Sequence, residues 1–146
     1  MHVISPLTSH DLPAAFAIEK ASHAFPWTEI TFNSNQGERY LNLKLTRNDT
    51  LVAFAITQVV LDEATLFNIA VHPTHQRQGH GRHLLEQLIE TLEARGITTL
   101  WLEVRASNAN AIALYEQLGF NEVSLRRNYY PAANGREDAV IMALPL

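Results

Sequence analysis

Apolar positions recur along the chain in two rhythms, and each change of rhythm marks a change of element. In TSHDLPAAFAIEKAS, Leu12, Phe16 and Ile18 recur at a spacing that suits a helix, behind an early Pro13 and with Ser9 or Asp11 as N-cap. FPWTEITFNSN reads as a turn and a short second helix. From Tyr40 to Val71 the rhythm shortens. YLNLKL, LVAFAITQVV and ATLFNIAV are rich in β-branched and aromatic residues and are separated by TRNDT and LDE, which predicts an antiparallel meander. Val3 and Ile4 start an earlier strand. The helical period returns over Gly79 to Arg95, where Leu84, Leu85, Leu88, Ile89 and Leu92 share a face and Gly96 supplies the stop. TTLWLEV follows as a strand and NANAIALYEQLG as a helix ended by Gly119. FNEVSLRRNYY and DAVIMAL are strands flanking a PAANGRE loop. The fold class is α/β: a mixed central sheet with an antiparallel N-terminal meander and flanking helices, residues 1–146 forming one domain.

Composition narrows the function. With 146 residues, 47% hydrophobic and 18% charged, the chain can bury a sizeable core. A net charge of -4 argues against a nucleic-acid partner and permits an encounter with a basic protein. There is no cysteine, which excludes disulfides, thiolate metal sites and a covalent thiol intermediate. The N-terminal MHVISPLTSHDL has no basic-then-apolar signal pattern, and LVAFAITQVVL falls short of the roughly 18 to 20 residues a membrane span needs. A cytoplasmic protein without a membrane partner is expected.

Chemistry concentrates in IAVHPTHQRQGHGRHLL, residues 69 to 85, where Gly79 and Gly81 open a helix. Glycine costs about 1 kcal/mol against alanine inside a helix, so a pair there points to close backbone approach by a ligand. Bare N–H groups at a helix start, with Arg77 and Arg82 adding charge, make an anion cradle; a loop whose arginines face solvent is the alternative. A nucleotide P-loop is excluded because Arg82 and His83, not lysine and a hydroxyl, follow Gly81. A dinucleotide fingerprint fails because Leu84 stands at its third glycine. His72, His75, His80 and His83 crowd the same segment without a third carboxylate or thiolate ligand beside His80 and His83. That reads as a solvated, anion-facing cluster with no metal.

QRQGHG, Gln76 to Gly81, resembles the Gln/Arg-x-x-Gly-x-Gly/Ala signature of the GNAT superfamily of acyl-CoA-dependent N-acyltransferases. Asn108, Ala111, Leu114, Tyr115, Gly119 and Phe120 match its later N-x-x-A-x-x-L-Y-x-x-x-G-F element. The segments AFPW, LFNIAV, LWLEVRASNA and RRNYY, with GREDA, are similar to the RimI type, the ribosomal-protein-alanine N-acetyltransferases. The resemblance implies transfer of acetyl from acetyl-CoA, with no metal, to a protein N-terminal amine. The family's substrate is the N-terminal alanine of small-subunit ribosomal protein eighteen.

Carried over, the resemblance implies that the backbone of Ile69, Ala70 and Val71 meets the pantetheine arm. Arg77, Gln78, Gly79, His80, Gly81 and Arg82 cradle the pyrophosphate, Asn108 touches the cofactor, Glu103 is the general base and Tyr115 the general acid. Read from the residues alone, Asn108 is equally a helix N-cap, Glu103 a strand-end partner of Arg105 or another arginine, and Tyr115 a core tyrosine. Alternation in LWLEV puts Glu103 on a face with Trp101, among apolar neighbours that would raise its pKa. AFPW and RRNYY form core, or the walls of a peptide groove. An α-amine, with pKa near 7.7 to 8.0 against about 10.4 for lysine, is easier to neutralise by about 3 to 4 kcal/mol at pH 7. A small-molecule or lysine acetyltransferase, or a non-catalytic acyl-CoA-binding module, are the rival functions.

Overall fold

The chain runs β1 (His2–Pro6), α1 (Leu12–Ser22), α2 (Glu29–Ser34), β2 (Leu43–Arg47), β3 (Thr50–Val60), β4 (Glu63–Val71), α3 (His80–Ala94), β5 (Thr99–Arg105), α4 (Ala109–Gln117), β6 (Asn121–Ala132) and β7 (Gly135–Pro145). In the computed structural model, which describes residues 1–146, the strands form one sheet in the order β1-β2-β3-β4-β5-β7-β6. All neighbours are antiparallel except β4 and β5, the parallel pair that α3 connects. This is the mixed α/β sheet with a leading meander that the hydrophobic rhythm predicts.

β3 is apolar on both faces because both are covered. Phe54 and Ile56 join Ala15 and Ile18 of α1 and Phe32 of α2, whereas Ala53 and Ala55 face Leu84, Leu85, Leu88 and Leu92 of α3. These four leucines are fully buried, so the α3 stripe is the anchor of the larger core. Gly96, at φ 78°, ends α3 in the left-handed conformation that glycine adopts without strain.

Three local expectations are corrected. The first helix is entered through a 3-10 turn over Ser9–Asp11; Asp11 is the N-cap of α1 as expected, but its side chain accepts from the Thr8 N–H (2.8 Å) and from Lys44 Nζ (2.8 Å) and makes no cap bond. β2 begins at Leu43, and Tyr40 contributes only an isolated bridge to Gln58. PAANGRE is not an open loop: β6 and β7 stay paired through Tyr130↔Glu137, Pro131↔Arg136 and Ala132↔Gly135. Polar composition hid this pairing, because the hairpin is held from its solvent side. Arg136 donates to the carbonyls of Asn128 (2.8 Å) and Tyr129 (2.7 Å).

Candidate active site

The site begins where the sheet splits. β4 and β5 pair only from Glu63↔Thr99 to Leu66↔Leu102, and the next residue of β4, Phe67, is an extra one against β3, whose Ile56 and Thr57 face Asn68 and Leu66. The bulge turns β4 away, so residues 67–71 have no partner on the β5 side. A cleft of about 670 Å³ opens there, lined among others by Glu19, His23, Asn68, Glu103, Tyr115 and Tyr130.

One end of the split meets the glycine segment. Arg77 (φ 63°) and Gly79 (φ 82°) are left-handed, and α3 starts at His80 with Gly79 as N-cap. The backbone N–H groups from Arg77 to Arg82 have no backbone acceptor, and the first intrahelical bond runs from His83 N–H to the Gly79 carbonyl (3.0 Å). A Cβ on Gly81 would sit 3.8 Å from Val71 Cγ2, an ordinary contact, so nothing in the fold itself demands glycine there. The same distance places the cradle against the end of β4. Bare N–H groups, two exposed arginines and an unpaired strand edge fit a ligand with a pyrophosphate and an amide-bearing arm.

The histidine reading is corrected in part. His80 is buried, its ring 4.8 Å from that of His2 and 6.3 Å from that of His75. Its ring turns inward from the cradle, with Nε2 3.2 Å from Gln78 Oε1. Burial, then the neighbouring charges of His2 and His75, push its pKa below the ordinary value. His72 Nδ1 accepts from the Thr74 N–H (3.2 Å) and caps the turn before the glycine segment. No group of three or more His, Asp or Glu residues is arranged around a metal position.

Inside the cleft, Glu103 lies 3.8 Å from the Arg126 guanidinium through Oε1, while Oε2 is enclosed and without a partner. Glu103 lines a cleft with apolar neighbours such as Leu66, Phe67 and Ile69, as strand alternation predicts, and β6 adds Arg126 and Tyr130 beside it. Arg105 does not pair with Glu103. It donates to Glu137 Oε1 (2.9 Å) and to the Pro131 carbonyl (2.6 Å), and stacks between Phe25 and Tyr130. Ser107 and Arg105 together hold the Glu137 carboxyl below the usual range. Tyr115 is buried against Phe120, its hydroxyl makes no hydrogen bond, and burial, then Tyr130, raise its pKa to about 12. Asn108 caps α4, accepting from the Ala111 N–H (3.2 Å), and also lines the cleft.

The acetyltransferase (GNAT) family profile matches residues 5–120. The chain belongs to this family. It is an N-acetyltransferase. Among its relatives, this GNAT enzyme is 71% identical over 146 residues to the [ribosomal protein bS18]-alanine N-acetyltransferase of Escherichia coli K12, covering 100% of this chain and 99% of that one. It is 54% identical over 145 residues to the protein of the same name from Haemophilus ducreyi, covering 99% and 100% of the two chains. Its fold superposes on the crystal structure of the ribosomal-protein-S18-alanine N-acetyltransferase from Escherichia coli with a TM-score of 0.98 at 72% identity, over 99% of this chain and 94% of that one.

The alternation of β5 could not reveal Glu19, Asn68 and the β6 irregularity. Glu19 is 1% exposed, accepting from the Trp27 N–H through Oε2 (2.9 Å) and from Asn68 Nδ2 through Oε1 (2.8 Å). Between Arg126 and Tyr130, β6 loses register with β7, and Asp138 Oδ1 accepts from the Asn128 N–H (2.9 Å). Tyr129 and Tyr130 thereby line the cleft.

Proposed function

We propose that this enzyme transfers acetyl from acetyl-CoA to the N-terminal α-amine of a protein, the N-terminal alanine of ribosomal protein bS18. The acceptor follows from the relatives' name; one observation in the site supports the chemistry. An enclosed carboxylate oxygen of Glu103 has no partner in the cleft, which Tyr115 and the Ile69 end of β4 also line. A buried acceptor oxygen left unpaired costs about 1 to 3 kcal/mol, and an amine N–H entering the cleft would satisfy it.

In this reading the N–H groups of Arg77 to Arg82 hold the pyrophosphate, and the free edge at Ile69, Ala70 and Val71 pairs with the pantetheine amides as an added strand would. The thioester is then directed into the split between β4 and β5. Glu103 accepts a proton from the attacking nitrogen as the C–N bond forms. Tyr115, whose raised pKa keeps it protonated at neutral pH, donates to the departing sulfur. Asn108 supports the cofactor side from the α4 cap. Phe25, Tyr129 and Tyr130 wall the approach of the peptide. Turnover of acetyl-CoA with N-terminal peptides, the modified atom located by mass spectrometry, tests the assignment.

A further inference from the structure

Acetylating an ammonium removes two protons from nitrogen, and Glu103 accounts for one. A buried carboxylate of unassigned role lies in the same cleft. Glu19 has no lysine or arginine partner; the one cation available to it is His23, whose Nε2 lies 3.4 Å from Glu19 Oε1 and 3.2 Å from Asn68 Oδ1.

The hydrogen-bond network assigns the tautomer of that ring. The Glu19 carboxylate can only accept, so Asn68 must turn its Nδ2 toward Oε1 and its Oδ1 toward His23. Both neighbours of Nε2 are then acceptors, and Nε2 carries the hydrogen. Nδ1 is left with its lone pair and no protein partner, on a side chain that lines the cleft and is 37% exposed. A carboxylate behind one imidazole nitrogen and an open lone pair on the other is the arrangement of a proton acceptor.

We propose that His23, oriented by Asn68 and backed by Glu19, takes the first proton from the acceptor ammonium and passes it to solvent. The proposal rests on the acetyl transfer with Glu103 and Tyr115 set out above. The steps balance: the ammonium N–H proton moves to His23 Nδ1, and the imidazolium, held by Glu19, keeps it until the C–N bond has formed and then releases it through the open side of the cleft. The neutral amine attacks, the C–N bond forms, and the second proton passes to Glu103. The C–S bond breaks, the thiolate takes the Tyr115 proton, and the proton on Glu103 restores the phenol. The net products are amide, thiol and one released proton. Facing His23 in the cleft are Glu19 on α1, Glu103 and Arg105 on β5, Tyr115 on α4 and Tyr129 and Tyr130 on β6. Arg105, the one arginine among them, is paired with Glu137 at 2.9 Å.

The test is the pH dependence of kcat/KM for an N-terminal alanine peptide, measured from about pH 6.5 to 9.5 for the wild type, His23→Gln and Glu103→Gln. With an internal acceptor the wild-type profile is flat below the amine pKa, near 7.7 to 8.0, because the ammonium itself is the substrate. His23→Gln should instead follow the neutral amine with unit slope, about tenfold down at pH 7 and equal to wild type above about pH 9. Glu103→Gln should be slow at every pH. A flat His23→Gln profile at wild-type rate, or an equal loss at all pH values, overturns the proposal. Should His23→Gln fail to fold, by its melting transition, His23→Asn takes its place under the same criteria. A wild-type Glu103→Gln profile beside a sloping His23→Gln one would remove Glu103 from the mechanism and leave His23 in it.

Discussion

The Arg105 guanidinium lies 4.6 Å from the centre of the Tyr130 ring, joining β5 to β6 across the mouth of the cleft. Its other face meets Phe25 at 5.0 Å, so one side chain spans both walls of the groove. Arg105→Met keeps the length and removes the stack and the bonds to Glu137 and Pro131. Peptide KM should rise by about tenfold while acetyl-CoA affinity stays within about twofold; cation-π contacts of this kind contribute about 0.5 to 2 kcal/mol. Steady-state kinetics with each substrate varied in turn check the split. An unchanged peptide KM would leave the strut without a role in the groove.

Gly81 separates folding from ligand binding. Because its Cβ position is open in the fold, Gly81→Ala should leave the melting temperature unchanged or raise it, alanine being favoured inside a helix by up to about 1 kcal/mol. Gly81→Val, whose branches project over the bare N–H groups, should lose acetyl-CoA affinity by about tenfold or more. Calorimetric titration with acetyl-CoA measures this, and wild-type affinity in a folded Val variant would remove the cradle from the mechanism.

Tyr115→Phe deletes a hydroxyl that has no protein partner and keeps the ring against Phe120. Stability should change by less than about 1 kcal/mol, whereas turnover should fall about 100-fold or more if the phenol serves as acid. Chemical denaturation beside single-turnover kinetics reads both. Equal rates for the two proteins would make Tyr115 packing alone.

Much of this fold is legible in the chain and some of it is not, for physical reasons. The α3 stripe and the twice-buried β3 announce themselves because local period and burial coincide. Phe67 is hidden: nothing in LFNIA distinguishes a residue bulged out of a strand from one within it, and the bulge is decided by the pairing of β4 with β3. Glu19 reads as a polar position on an amphipathic helix, since its partners Trp27 and Asn68 are 8 and 49 residues away. Glu103 and Tyr115 are legible through the resemblance, but the arginine beside Glu103 arrives from β6 by tertiary placement.

The burial of His80 is likewise set by tertiary placement, against His2 and His75, and it has a pH signature. A base whose folded pKa is depressed leaves the unfolded state binding more protons, so its contribution is complete above the unfolded value of about 6.5. It is lost as pH falls from there through the lower folded value. Replacing His80 with asparagine should therefore flatten the fall in melting temperature between about pH 7.5 and 5.5. An equal fall in both proteins would place the acid sensitivity elsewhere.

The acceptor atom distinguishes N-terminal transfer from transfer to lysine or a small amine. Three acceptors should be compared at equal concentration with acetyl-CoA near pH 7.5: a peptide that copies the bS18 start with a free N-terminal alanine, the same peptide blocked at that amine but bearing lysine, and a free polyamine. Mass spectrometry should find acetyl on the alanine α-amine, with the blocked peptide and the polyamine slower by about 200- to 800-fold, in keeping with the roughly 3 to 4 kcal/mol between the two amine types. Faster modification of the lysine or the polyamine would contradict N-terminal transfer.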